Sequence, residues 1–280
     1  MKKILMLLVA MVLVAGVSAQ SRIEEFRVKS AQLGVEKVCS VYLPDGYDRS
    51  DKHYPVLYLL HGAGGCHTNW LTIGALQQLA DESIAEGTAL PMIVVMPDAA
   101  GEGKQLIGKH MGYFNVPGWN YETFFFEEFL PAVEQHYRAV GTKAQRAIAG
   151  LSMGGGGTTL YAMRHPERFG SACPLSALID TLSRKTDYDP VFVQSVAQNS
   201  AVRLLQEMTE EQVAQQRTVR WWVDCGDDDF LYEGNSRFYN LMRERNIPLQ
   251  FRVRDGSHTW RYWQQAMPSV LTFISIGFAE

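Results

Sequence analysis

Cysteine is sparse in this sequence. Cys39, Cys66, Cys173 and Cys225 are scattered through its 280 residues in apolar or strand-like surroundings, and none stands at the short spacing of a metal-binding pair. That distribution argues against a zinc site, and buried free thiols are expected rather than a disulfide framework. A strong charge of one sign is missing too. Lysine and arginine number 26 against 30 acidic residues, giving a formal net charge of −4 and a pI near 6.0, with no long basic run in either half. Neither a nucleic acid nor an anionic membrane surface is therefore an expected partner. No apolar run reaches the roughly 20 residues of a membrane-spanning helix, and there is no internal repeat or low-complexity tract. What remains, 46% hydrophobic and 20% charged residues, is the composition of one globular domain with a sizeable core.

The first residues form a separate unit. Lys2 and Lys3 supply a positive end, residues 4–17 an apolar run, and Val17, Ser18 and Ala19 a small-residue cleavage site. This is the pattern of an export signal, with residues 1–19 removed and residues 20–280 forming the mature domain in the periplasm or outside the cell. No cysteine follows the cut, which argues against a lipid anchor there.

Beyond it, residues 26–29 and 35–43 alternate apolar with polar around Gly34, as an antiparallel hairpin at a sheet edge would. The pattern then changes. Residues 54–60, 92–96, 146–149 and 219–223 are mostly apolar runs, suited to central strands of a parallel sheet covered on both faces. Helix-like segments at 73–86, 124–137, 156–164 and 236–245 lie between or after them. Strand and helix alternate, which predicts an α/β fold with a doubly wound, mostly parallel sheet. Residues 179–216 interrupt the rhythm, polar first and then helical, with Thr209 and Gln212 spaced as a capping box. They are expected to form an insertion over one end of the sheet, beside the substrate.

The strongest chemical signal is Gly150-Leu151-Ser152-Met153-Gly154, placed between a strand and a helix. A serine hydroxyl becomes a useful nucleophile when a sharp strand-to-helix turn projects it toward a base, and that turn tolerates only very small residues two places either side. The glycines continue through Gly157, at about 1 kcal/mol each of lost helix propensity relative to alanine, which points to close backbone packing. His61-Gly62-Ala63-Gly64-Gly65 follows the strand at 54–60, where glycines let main-chain N–H groups approach a substrate carbonyl. The backbone N–H groups of Ala63 and Met153 are the candidate oxyanion donors, the second at a helix N-terminus. His61 itself is expected to shape the loop through backbone hydrogen bonds.

A base and an acid should follow the serine in the order acid, then histidine. Of the seven histidines, His258 lies well beyond Ser152 in a loop, whereas His165 precedes a proline at a helix end; His258 is the candidate base. For the acid, Asp224 falls within a strand, and Asp227, Asp228 and Asp229 lie beyond Gly226 in the loop that can reach an imidazole. Spacing does not choose among them.

Taken together, HGAGG, GLSMGG, CGDDDFLYEGN and DGSHTW, with VYLPDGY at 41–47, resemble the esterase D and feruloyl esterase group of α/β-hydrolases over nearly the whole mature chain. The resemblance implies the α/β-hydrolase fold, supports Ser152 and His258, and places the acid third after the strand-end glycine, at Asp229. It also implies ester hydrolysis through an acyl-enzyme, with no cofactor and no metal. The group includes feruloyl and acetylxylan esterases, S-formylglutathione hydrolases and mycolyltransferases, so the fold transfers better than the substrate.

Export disfavours a glutathione conjugate and favours acyl groups on cell-wall carbohydrate or another small ester met outside the cytoplasm. An acyltransferase using a sugar acceptor is the second reading, and a binding module with a relict site a distant third. In the aromatic segment at 112–121, Trp119 and Tyr121 are candidate stacking surfaces for a sugar or cinnamoyl ring. The leader reading makes one direct prediction. N-terminal sequencing of the mature protein from its native host should begin at Gln20, and retention of Met1 would refute it.

Overall fold

The segments VLYLL and IVVMP leave no position for a solvated side chain, and each forms a strand buried at every residue, β3 (Val56–Leu60) and β4 (Ile93–Pro97). They belong to a computed structural model that describes residues 21–100, 112–116, 118–179, 190, 194 and 197–280. The leader read at 1–19 lies outside the described residues, as do parts of the insertion read at 179–216.

The other strands are β1 (Arg22–Lys29), β2 (Glu36–Leu43), the short β5 (Asn115–Val116) and β6 (Trp119–Asn120), β7 (Arg146–Leu151), β8 (Ser171–Leu175), β9 (Arg220–Gly226) and β10 (Gln250–Arg254). Eight of them form one sheet in the order β1-β2-β4-β3-β7-β8-β9-β10. β1 pairs antiparallel with β2 from Arg22↔Leu43 to Lys29↔Glu36, and β2 pairs antiparallel with β4; the remaining pairs are parallel. This is the α/β-hydrolase architecture, hairpin included.

The helices are α1 (Asn69–Thr72), α2 (Leu76–Ala85), α3 (Tyr121–Phe124), α4 (Leu130–His136), α5 (Met153–Arg164), α6 (Ala201–Glu207), α7 (Glu210–Gln216), α8 (Tyr232–Glu244) and α9 (Trp260–Ala279), with a π-helical turn at Phe125–Phe129 joining α3 to α4. Side chains alternate across each strand, and the core divides accordingly. Tyr58, Leu60 and Ile148 join α5 and the Phe124, Phe125 and Phe129 rings on one face. Leu57, Leu59, Ala147 and Ala149 join residues of α2 and α9 on the other.

Among the longer elements, the sequence pattern does not reveal β8, β10 or α9. β8 is a five-residue buried run broken by a proline, which argues against a strand, and β10 is a charged edge strand with mostly exposed residues and no apolar run. α9 carries Pro268 inside it, which reads locally as a breaker. Within the insertion, the capping box at Thr209 and Gln212 is present at the start of α7. All four cysteines are free, Cys66 partly exposed and the others buried, and burial pushes the Cys39 thiol up to about 12.

Strand order fixes where the chemistry can sit. β3 is followed by β4 on one side and flanked by β7 on the other, so the chain reverses its winding there, and the crevice beyond the carboxyl ends of these strands is the favoured binding place. The register Leu60↔Gly150 sets the HGAGG turn beside the GLSMGG turn.

α5 can pack this closely only because of its glycines. A Cβ on Gly154 would stand 2.5 Å from the Leu60 carbonyl oxygen and 2.6 Å from that of His61, and one on Gly150 would stand 2.6 Å from the Gly154 carbonyl oxygen. Gly154→Ala should therefore cost about 1–3 kcal/mol by overpacking, read as a lower midpoint in denaturant. Gly234→Ala in α8, where no heavy atom lies within 4 Å of the added carbon, should gain up to about 1 kcal/mol. A larger loss at Gly234 than at Gly154 would contradict this packing.

Candidate active site

Ser152 joins β7 to α5 at φ 55° and ψ −117°, a conformation that costs a non-glycine residue on the order of 1–3 kcal/mol. The surroundings hold it there. Its N–H donates to the Leu175 carbonyl, and its own carbonyl accepts from the N–H groups of Gly156 and Leu178, each at 2.9 Å. The side chain is thereby fixed at the mouth of the crevice, partly exposed. Met153 opens α5, and N–H groups in the first turn of a helix have no intrahelical acceptor. They favour negative charge beside the serine.

The loop after β3 is held by a buried imidazole. His61 Nδ1 lies 2.8 Å from the Gly62 carbonyl oxygen, while Nε2 lies 2.9 Å from the Ala99 backbone nitrogen, whose N–H can only donate. The pattern assigns a neutral ring with its proton on Nδ1. Burial lowers its pKa, opposed by the Gly62 carbonyl and the Asp98 charge. Tyr113 Oη donates to the His61 carbonyl at 3.1 Å, and Trp70 Nε1 donates to that of Leu60 at 3.0 Å. His61 thus shapes the loop that carries Ala63. A Cβ on Gly62 would stand 3.5 Å from Ser152 Cβ, so the loop and the serine are immediate neighbours.

The acid and base candidates meet at the ends of β9 and β10. Gly226 has no side chain because the Gly256 backbone occupies the space where a Cβ would be. The two loops also exchange hydrogen bonds, Asp228 N–H to the Gly256 carbonyl and Gly256 N–H to Asp227 Oδ1, both 3.0 Å. That contact delivers His258 to Asp229, with Nδ1 2.8 Å from Oδ2 and 3.0 Å from Oδ1. The four aspartates separate by environment. Asp227 and Asp228 are exposed, and buried Asp224 is engaged by Tyr262 Oη at 2.6 Å and Arg254 at 3.0 Å. Asp229 is 4% exposed and faces the imidazole.

Burial raises the pKa of Asp229, but His258, the Leu231 N–H and Ser176 outweigh it and hold the carboxyl below its ordinary value. The carboxylate is therefore ionised at neutral pH. Its contribution to stability is complete above the ordinary aspartate pKa and is lost as pH falls through the depressed value.

Ser176 and Trp263 complete this end of the site and carry no motif that would mark them in a sequence. Ser176 sits at φ 42° just past β8. Its hydroxyl accepts from Trp263 Nε1 at 3.0 Å, and Trp263 meets the His258 ring edge-on at 4.8 Å between centroids. Ser152 is tied to the preceding residue, Leu175. The turns after β7, β8, β9 and β10 thus lie along one edge of the sheet, in the serine, acid, histidine order along the chain.

Trp119 and Tyr121 require correction. Both are 0% exposed, and Tyr121 Oη donates to the Asp98 carbonyl at 2.9 Å. Rings with no free face offer no stacking surface; Tyr121 instead packs edge-on against Tyr113, whose ring lies beside His61. Aromatic content alone does not distinguish a core from a wall. Among the described residues, Asp227, Asp228 and Asp255 bring carboxylate oxygens within 4.8 Å of one another, all exposed, an arrangement common without any ion. No helix among the described residues is long and apolar enough to cross a membrane.

Comparison with known proteins gives the family and the fold. The family model described as "Putative esterase" matches residues 30–274. The Endo-1,4-beta-xylanase/feruloyl esterase of Xylanibacter ruminicola is 36% identical over 152 residues, covering 53% of this chain but 20% of that protein, so the match spans about a fifth of that relative's length. A solved ferulic acid esterase is 42% identical, with a TM-score of 0.87 over 92% of this chain and 99% of its own. An S-formylglutathione hydrolase from Staphylococcus aureus, 24% identical, shares the fold with a TM-score of 0.75 over 91% of this chain and 99% of its own.

The contrast among the aspartates can be measured. Asp229→Asn should lower kcat for p-nitrophenyl acetate by about four orders of magnitude, as loss of the correct imidazole tautomer does in a serine triad, whereas Asp227→Asn and Asp228→Asn should stay within several-fold of the wild type. An equal loss at Asp228 would move the acid.

Proposed function

The chain belongs to the Esterase family of serine carboxylic ester hydrolases, and on that premise we propose that it cleaves acyl esters of cell-wall carbohydrate outside the cytoplasm, feruloyl before acetyl, through Ser152, His258 and Asp229. The observation that carries the chemistry is the pairing of buried Asp229 with His258 Nδ1 at 2.8 Å. With the proton on Nδ1 held toward the carboxylate, Nε2 is free to act as a base.

His258 Nε2 takes the proton of Ser152 as Oγ attacks the ester carbonyl carbon. The carbonyl oxygen becomes an oxyanion that accepts from the backbone N–H groups of Ala63 and Met153, each such donor typically worth about 3–4 kcal/mol in the transition state. Collapse breaks the bond to the alcohol oxygen, which leaves with the proton from His258. Water then adds to the acyl-enzyme, giving a proton to His258, and the carboxylic acid departs as Ser152 regains its hydrogen. Atoms and charge balance without a cofactor. Asp229 keeps its charge throughout and stabilises the imidazolium.

The substrate reading has two supports. The 42% identity to a ferulic acid esterase extends over 92% of the chain, and the leader at residues 1–19 directs the enzyme toward substrates outside the cytoplasm. Ser152→Ala should reduce turnover of p-nitrophenyl acetate by about five to six orders of magnitude with an unchanged unfolding transition. Substantial turnover by the pure, folded variant would exclude Ser152 as nucleophile. In the wild type, faster cleavage of acetylated xylan than of any feruloyl ester at matched concentration would reject the acyl preference and leave the esterase standing.

A further inference from the structure

Phe230 is 56% exposed, the largest exposure among the exposed large hydrophobic residues of the described chain. Its neighbours explain why it cannot turn inward. Asp229 before it is buried against His258, and Leu231 after it is buried with its N–H donating to Asp229 Oδ1 at 2.9 Å. The turn that aims the acid inward therefore sends the next side chain out. The outward ring stands against the base, with Phe230 and His258 centroids 4.5 Å apart at 50°. On another side of the imidazole, Trp263 packs edge-on and is itself anchored to Ser176. Phe230 is the partner of His258 that faces solvent.

Position relative to His258 decides which part of a substrate such a ring can touch. The imidazole must come within about 2.6–3.2 Å of the departing oxygen to return its proton, so the alcohol lies alongside the ring. The acyl carbonyl lies toward the Ala63 loop and the α5 N-terminus, in the direction of the oxyanion donors. A phenyl ring in van der Waals contact with His258 is thus adjacent to the first ring of the alcohol. Sugar rings present C–H faces that pack on an aromatic face, whereas a methyl alcohol offers too little surface to reach it.

We propose that Phe230 is the platform for the sugar on the alcohol side of the site, a specificity-determining residue that recognises what the acyl group is attached to. This rests on the carbohydrate-ester reading and adds the residue that would enforce it.

The test compares substrates that share an acyl group. For wild type, Phe230→Ala and Phe230→Tyr, kcat/KM is measured on a feruloylated arabinoside, methyl ferulate and methyl acetate. Phe230→Ala should lower the arabinoside-to-methyl-ferulate ratio about fivefold to tenfold, mainly through KM, and Phe230→Tyr should keep it within about twofold. An equal fall on both ferulate esters would overturn the proposal, since the ring would then only steady His258. A changed ratio of methyl ferulate to methyl acetate, with the arabinoside ratio intact, would put Phe230 on the acyl side and overturn it as well. Should the wild type cleave no feruloyl ester, the feruloyl reading fails by itself, and the same alcohol comparison is made with acetylated xylo-oligosaccharide against methyl acetate. Loss of the sugar preference there in Phe230→Ala supports the platform, and its retention overturns it.

Discussion

The approach of α5 to the end of β3, with Gly154 against the carbonyls of Leu60 and His61 and Gly150 against Gly154, sets the positions of the residues proposed to react. Any side chain there would push the helix away from the sheet. With the helix seated, Ser152 is forced to positive φ, its backbone is pinned by Leu175, Gly156 and Leu178, and the first turn of α5 faces the loop carrying Ala63. The glycines lower helix propensity, and that local cost is offset by the packing of a helix buried from Met153 to Met163. The proposed nucleophile and the candidate oxyanion donors are thus placed by one close contact.

The other half of the site is organised by a second close contact, between the Gly226 and Gly256 backbones, and the two halves are joined through β8. Ser152 hangs from Leu175; the next residue, Ser176, gives its N–H to the Asp224 carbonyl and receives the indole N–H of Trp263, which walls His258. Such a network fixes the imidazole before substrate arrives, so little reorganisation is left for the reaction itself. The depressed pKa of Asp229 belongs to the same arrangement, in which the carboxylate stays ionised at neutral pH beside His258 Nδ1.

Legibility from sequence followed physical locality. The GxSxG elbow, the HGAGG turn and the buried parallel strands are local patterns whose chemistry is confined to a few consecutive residues, and the fold could be read from them. β8, β10 and α9 were hidden because a proline or edge charges masked their periodicity. The acid was ambiguous for a different reason. Four aspartates within six positions are told apart by what His258, Tyr262 and Arg254 bring to Asp229 and Asp224, which is long-range information. Trp119, Tyr121 and Phe230 make the same point in opposite directions: the two aromatic candidates are fully buried, while Phe230 is exposed against His258.

The central claim is that the elbow and the Asp229–His258 pair together make one serine hydroxyl reactive. Peptide mapping by mass spectrometry after brief exposure to a limiting fluorophosphonate tests it most directly, since the reagent phosphonylates only a serine already activated for attack. A single adduct on the peptide containing Ser152, forming in step with loss of ester hydrolysis, is the predicted result. Full loss of hydrolysis with the adduct on another residue, or an unmodified Ser152 in active enzyme exposed to excess reagent, would contradict it.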